Sequence, residues 1–517
     1  MKAWKRVLIG VAFGGLLPLL FHPASRNYFD AIWRPRNAYS SIRLPADNSG
    51  HMDPGQPNTV DDASLWALIA MERLESEGLS PDEIKTTLAV ISAAEKRDME
   101  NGYWPQIEAV LYWSDRQQKK ALEKWQRAAT CLRWNDGQST MLIQAADKLA
   151  KRTGARQSWQ LARVYFGRSV AAVDLIESFA ERRVLDGVYP TETATLRMRY
   201  LTLLNGNLIR QFGRSYAISN RGAEIVRRAC QPNRLPLDTT PRQYLTYSLQ
   251  FFNDLRLAGL REESVSAKQK YDETESWQAL IGGEIGSEPR NLAYLSVVYA
   301  TLPGALALGG LFGGLLWLLG TWIRRTPIGE TWFESPYIFF LAAVTGVICW
   351  LFTGVIEASI SIPLCLAFLA IRPRKVRSRP SYEFGPTFIV TMYVLGLLVL
   401  IFQSVYWILL SPAAVQVLPH LDWNEEAIGS SAFMGIAAMI LALAILSCPW
   451  FAYTNRTRPS QVFAGAMIQL GSFVFTIGIM LAIIFGGICI YKDRDLQVTL
   501  AEIVQNEPQH YYIQRLH

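Results

Sequence analysis

Five histidines, His22, His51, His420, His510 and His517, and six cysteines carry most of what nucleophilic or metal chemistry would require of this chain. None of these histidines falls inside a long apolar run, so a serine and histidine pair within a membrane is not available, and Gly429-Ser430-Ser431 reads as a helix start. There is no HExxH, CxxC or P-loop pattern, which removes the commoner zinc and nucleotide sites. The remaining cluster with ligand-type side chains is His420, Asp422 and Glu425, followed by Glu426; these are the weak metal candidates. A simpler role accounts for it: Asp422 or Asn424 caps the following helix, and the two glutamates favour its positive N-terminal end. No catalytic residue, metal or cofactor is therefore assigned. Cys349, Cys365, Cys448 and Cys489 sit in apolar runs, where a thiol behaves as a small hydrophobe. Cys131 and Cys230 lie outside such runs and either pair or stay free, since sequence does not fix their separation.

The elements that would position any such chemistry divide into two kinds. The chain is 50% hydrophobic, and most of its long apolar runs fall after Asn291, while residues 60–290 alternate apolar and charged side chains as a soluble helical domain does. Apolar runs predict membrane helices at 305–323, 336–355, 358–371, 386–410, 431–450 and 462–490, with 336–371 open to a second reading as a re-entrant hairpin. Residues 292–302, closed by Pro303, are expected at the membrane interface. Lys2, Lys5 and Arg6 precede an apolar run at 7–21, so residues 1–22 read as an uncleaved signal anchor, with a cleaved signal peptide the alternative. Residues 23–59, rich in Pro, Gly, Asn and Ser, read as a linker. The first run of the C-terminal block carries Gly309, Gly310, Gly313 and Gly314, two interleaved GxxxG pairs that bare one helix face for a neighbouring helix.

The formal charge of +7 raises nucleic acid as a partner, but its densest run, Arg372, Arg374, Lys375, Arg377 and Arg379, directly follows an apolar segment. That placement marks the cytoplasmic end of a membrane helix, and nucleic-acid binding is set aside. Arg324-Arg325 and Arg456/Arg458 fall on the same side in an alternating topology, and Glu357 falls near the outer rim. The domain at 60–290 and the tail at 492–517 are then extracytoplasmic, and Leu500, Ile503 and Val504 are placed to dock the tail on that domain.

Within residues 60–290, Ser80-Pro81-Asp82-Glu83 has the makings of a capped helix start ahead of Ile84, Leu88 and Ile91. Thr240-Pro241 is a second start, and strand signals are lacking, so the fold class is all-α. Ala109, Tyr112, Ala121, Trp125 and Ala128 have the spacing of small and aromatic positions in two helices, roughly 105–114 and 117–133, that pack closely. Residues 81–135 thereby resemble a tetratricopeptide repeat, with Ala94, Asp98 and Asn101 matching the end of a preceding unit. The resemblance implies a stacked helix-pair scaffold that binds other proteins. Pro105 and Glu108 depart from the family's large aromatic and leucine, Arg133 stands where proline is usual, and the period does not extend through residues 141–230. A generic helical bundle remains the other reading.

The expectation is a polytopic α-helical membrane protein of the cell membrane, with the bilayer and a protein as partners. The alternative is a transporter or a lipid-processing membrane enzyme, with Glu357 or the His420 region facing outward. Reporter fusions test the topology: a fusion within 372–379 is expected to be active only in the cytoplasm and one beside Trp125 only outside it. Both reporting the same compartment ends this arrangement.

Overall fold

The structure, a computed structural model, describes residues 60–153, 156–232, 241–281, 288–325, 385–409, 411, 430–455 and 459–516. Among the described residues every regular element is helical, apart from one isolated bridge between Asn101 and Arg133. In order these are α1 (Val60–Ser76), α2 (Pro81–Arg97), α3 (Tyr103–Ser114), α4 (Gln118–Ala128), α5 (Gln138–Thr153), α6 (Gln157–Phe166) and α7 (Ala171–Phe179), which widens into a π turn. They continue as α8 (Glu192–Phe212), α9 (Tyr216–Ala229), α10 (Pro241–Leu257), α11 (Arg261–Ile281), α12 (Glu288–Arg325), α13 (Pro386–Leu409), α14 (Ser430–Asn455) and α15 (Pro459–Leu516). The signal anchor, the linker, the two runs in 336–371 and the Arg372 to Arg379 cluster lie outside the described residues.

The chain separates into two compact units. One takes in described residues from Val60 to Lys151, with Gln160–Leu292 and Gln497–His517. Its helices start where local chemistry dictates. The Ser80 hydroxyl accepts from the Glu83 amide while the Glu83 carboxylate accepts from the Ser80 amide at 2.9 Å, so two orphan donors of α2 are satisfied at once. The Ser80 hydroxyl also donates to that carboxylate at 2.7 Å, and this bond, with the one from the Ser80 amide, holds the Glu83 carboxyl down at about 2. Between α3 and α4 the chain reverses through Arg116, a non-glycine residue in the left-handed region at φ 60°, where the Gln117 amide bonds the Tyr112 carbonyl at 2.8 Å. The core of this unit is aromatic: Trp104, Trp125, Trp134 and Phe179 are fully buried. Burying a ring system such as Trp125, about 200 Å² of surface, contributes roughly 5 kcal/mol. Helices α8 and α9 meet backbone to backbone, since a Cβ on Gly222 would stand 2.3 Å from the Arg210 nitrogen and one on Gly206 2.9 Å from the Gly222 carbonyl.

The other unit contains Arg152–Trp159 and Ala293–Leu496. Among the described residues, three helices here or leading into it are long and apolar enough to cross a membrane: Glu288–Arg324, Pro386–Leu409 and Gln461–Tyr511. The 24 residues of α13 extend about 36 Å, which exceeds the hydrocarbon thickness of a bilayer. Residues 292–302 do not form a separate piece. Helix α12 runs through Pro303 unbroken, because proline forfeits one backbone bond and the rest of the ladder carries the helix on. In this unit α12 and α15 form a seam of small residues. Gly320 faces Ala464, Gly313 faces Gly471 and Leu306 faces Gly478, so the contact steps back along one helix as it advances seven residues at a time along the other. A Cβ on Gly471 would stand 2.4 Å from the Trp317 nitrogen, and one on Gly478 2.8 Å from the Gly310 Cα.

Gly471→Leu is therefore expected to force α12 and α15 apart and to lower the thermal midpoint of the detergent-solubilised protein by several degrees. Gly487→Leu, where nothing stands within 4 Å of the new Cβ, should leave it unchanged. Equal effects of the two would show that the seam does not hold this unit.

Candidate functional site

The residues carrying the tetratricopeptide resemblance converge in the core. Ala109, Ala121, Trp125 and Ala128 are buried and Tyr112 is partly buried, so they pack α3 on α4 and present little to a partner. The second helix stops at Ala128 rather than reaching Arg133, because residues 129–133 turn to meet the preceding loop. The Arg133 amide bonds the Glu100 carbonyl at 3.1 Å and the Gly102 amide bonds the Arg133 carbonyl at 2.8 Å. Asn101 clamps the same junction, its amide donating to the Asn135 carbonyl at 2.8 Å and its oxygen accepting from the Asn135 amide at 2.9 Å.

Each departure from the repeat pattern has a physical counterpart. Pro105 sits in the first turn of α3, where a missing N–H costs nothing intrahelical. Arg133 pairs with Asp98. Glu108 is completely buried and pairs with Lys124, which also reaches Glu95, while the Ser92 hydroxyl donates to Glu108. Burial pushes the Glu108 carboxyl above its ordinary value against the pull of Lys124 and Ser92. Burial also draws Lys124 down, but its hydrogen bonds to Glu108 and Glu95 carry it above its usual range.

A second buried polar chain joins the α3/α4 hairpin to α8. The Trp134 indole donates to Gln106 at 2.9 Å, Gln106 to Asn205 at 3.0 Å, and Asn205 to the Trp125 carbonyl at 2.9 Å. The Trp125 indole in turn donates to Thr202 at 3.1 Å. Each group in this chain is satisfied, which fixes the hairpin against α8 in one register.

An open concavity among the described residues of this unit lies elsewhere, as a groove of about 790 Å³ between the end of α8 and one face of α11. Arg210 and Gln211 form one wall, and Val265, Lys268, Asp272, Ser276 and Leu280 recur at helical spacing along the other, with Trp277 beside them. Arg210 is anchored to Asn207 at 2.8 Å and faces Glu273 at 3.4 Å. Partial burial works to raise the Glu273 carboxyl, but hydrogen bonds from Lys270 and Gln269 and the charge of Arg210 bring it below its ordinary value. The groove thus offers fixed charges of both signs beside the exposed apolar side chains of Val265 (71% exposed) and Leu280 (45%). None of these positions stands out in the sequence. The available signal was the i, i+4, i+7 recurrence of polar residues on α11, which any solvated helix also shows.

Gly309, Gly310, Gly313 and Gly314 lie in α12 as packing positions. Gly310 faces Ile479, Gly313 faces Val474 and Phe475, Gly314 faces Phe475, and Gly309 accommodates the Gln403 amide. That amide donates to the Ala305 carbonyl at 3.2 Å and to Ser404 at 3.0 Å, so a buried polar side chain of α13 is engaged in helix contact. Ala464, Gly471 and Gly478, the opposing half of the seam, were missed although their spacing of seven was present to be seen. His420, Asp422, Glu425 and Glu357 lie outside the described residues. Among the described residues no group of three or more His, Cys, Asp or Glu side chains could hold a metal ion. Cys131 and Cys230 are both buried and free, and burial raises both thiols above the usual range.

Compared with protein-family models, with curated proteins and with solved structures, the chain matches none.

Lys124→Met is expected to destabilise the protein by about 3–5 kcal/mol at neutral pH, because it strands a buried carboxylate. The sign of the pH dependence follows from burial. A carboxyl with a raised folded-state value favours folding below its unfolded value and loses that contribution as pH rises through the folded one. The deficit of Lys124→Met should therefore shrink between pH 7.5 and pH 5, measured by urea unfolding in detergent. A pH-independent deficit would show that Glu108 is not the group left unpaired.

Proposed function

We propose that this chain is a polytopic membrane protein whose extracytoplasmic helical unit binds another protein in the α8/α11 groove, with the membrane helices providing anchorage. The observation that carries the binding half is the groove itself, in which charges of both signs stand beside unpartnered apolar side chains. That combination suits a peptide segment with an apolar anchor and flanking charges better than a small apolar ligand, which would need enclosure.

The membrane half is supported by the outer surfaces of the apolar helices. Val390 (59% exposed), Val394, Leu397 and Ile401 (47%) form an outward stripe on α13, and Phe312, Leu315, Leu319 and Trp322 do so on α12. Residues this large belong in lipid, while the seam inside is built of glycine and alanine. Helix α14, 26 residues without a charged side chain, is assigned as a further span. The repeat reading of residues 81–135 is supported by the bonding between Asn101 and Asn135, which lie 34 residues apart, the period of a tetratricopeptide unit. On this reading the hairpin is the frame that holds α8, and α8 with α11 is the binding surface.

Crosslinking in membranes followed by purification tests the assignment. Val265→Asp with Leu280→Asp is expected to reduce recovery of the crosslinked partner at least tenfold. Substituting Glu357, His420, Asp422 and Glu425 together should leave recovery intact. The reverse pattern would favour a transporter or a lipid-processing enzyme.

A further inference from the structure

The floor of the groove is held from behind by the C-terminal tail. Trp277 lines the groove, yet is buried itself, and it packs with Ala223, Tyr216 and Tyr511. Its ring stacks on Tyr216 with centroids 5.9 Å apart and planes within 19°. The tail reaches Trp277 by two routes. Tyr511 belongs to the same buried apolar cluster, and Glu507 holds Tyr216 by accepting from the Tyr216 amide at 2.8 Å.

Glu507 is the buried centre of this attachment, with 1% of its surface exposed. Its other carboxylate oxygen accepts from the Tyr165 hydroxyl at 2.8 Å, the Tyr511 hydroxyl bonds it as well, and its own amide donates to the Arg214 carbonyl at 3.1 Å. Arg168 ties the preceding turn by donating to the Val504 carbonyl at 2.7 Å. The helix breaks between these two anchors: Asn506 leaves helical geometry at φ −160° and ψ 84°, and Pro508 follows. That break directs Glu507 inward while Leu500, Ile503 and Val504 are buried on the preceding turns. A tail that only needed somewhere to rest would not require a buried carboxylate with several donors, since an unpaired one is heavily penalised.

We propose that residues 500–511 form a latch that sets the position of Trp277, so that docking of the tail and occupancy of the groove are thermodynamically linked. A partner that requires Trp277 in its stacked position binds the latched protein more tightly and, by reciprocity, tightens the latch. The latch is the C-terminal end of α15, the helix whose earlier part is apolar enough to cross a membrane. The regulatory half rests on the groove reading above, whereas the coupling of tail to groove floor is a property of the chain alone.

Hydrogen exchange on the full chain in lipid nanodiscs, without any partner, reads that coupling directly. Glu507→Ala is expected to speed amide exchange at least tenfold in 500–511 and also in 268–281 and at Tyr216, with residues 103–128 unchanged. Trp277→Ala should speed exchange in 500–511 reciprocally. Should Glu507→Ala loosen residues 103–128 as well, Tyr511→Phe, which keeps the ring and removes one bond to Glu507, gives the gentler comparison; parallel rises in tail and α11 support the latch. Acceleration confined to the tail, in either variant, or a tail indifferent to Trp277→Ala, overturns it. Failure of Val265→Asp with Leu280→Asp to reduce partner recovery would sink the groove reading and leave this exchange result standing.

Discussion

Helices that touch backbone to backbone are the constraint from which the rest of the molecule follows. At Gly222 a side chain would intrude on the backbone of α8, and at Gly471 it would intrude on the backbone of α12. The first crossing fixes α8, and α8 supplies Thr202 and Asn205 to the buried polar chain and Arg210 to the groove. Separating α8 from α9 by the width of a methyl group would withdraw all three at once. The second crossing has a different rationale. Between helices surrounded by hydrocarbon there is no hydrophobic gain on association, so attraction must come from close van der Waals contact and a few polar bonds. On the membrane reading, the seam from Gly320 to Gly478 and the Gln403 bond to the Ala305 carbonyl serve as those two devices.

The helical unit spends its specificity on buried polar groups instead. Burying Glu108 where an apolar side chain would fit sacrifices hydrophobic burial, and the Lys124 pair offsets it only because Ser92 and Glu95 complete the set. What such a cluster provides is uniqueness. An apolar α3/α4 hairpin could slide or rotate on its neighbours with little change in contact area, whereas the chain from Trp134 through Gln106 and Asn205 to Trp125 closes in only one register.

What was legible in the sequence is what local chemistry determines. The Ser80 cap, the start at Pro241, the all-helical character and the apolar runs that fall among the described residues are written in neighbouring residues, and the structure carries helices at each of those places. The apolar spacing of Leu500, Ile503 and Val504 likewise signalled a buried face on the tail. Proline misled at Pro303, because its local penalty is small against a long helix whose other bonds are intact. Reading α4 on to Arg133 failed for a tertiary reason: the Glu100 carbonyl competes for the amides that would have continued the helix. The groove and the role of Glu507 were not legible at all. Their residues come from segments far apart in the chain, and a glutamate bound for the interior has the same local signature as one on the surface.

The two units resolve opposite solvation problems. In the helical unit apolar side chains are buried and most charges face outward; in the apolar unit glycine and alanine line the α12/α15 seam and bulky aliphatic side chains also face outward. Under the membrane reading the outward aliphatic side chains meet lipid, and the hydroxyl residues of the apolar helices need a partner within their own helix. Thr321 bonds the Trp317 carbonyl, Thr391 the Thr387 carbonyl and Thr476 the Ser472 carbonyl, each one turn back on its own helix. The helical unit makes the same bond, from Ser76 to the Glu72 carbonyl and from Thr86 to the Asp82 carbonyl, but there water competes for the hydroxyl and the backbone carbonyl is one acceptor among several. Surrounded by hydrocarbon it is the nearest acceptor available, so a polar side chain satisfies itself without a partner helix. On the membrane reading, a side chain that folds back on its own backbone and a helix that meets its neighbour where side chains are missing both answer a shortage of water, although the Gly222 crossing shows that close backbone contact also serves the helical unit.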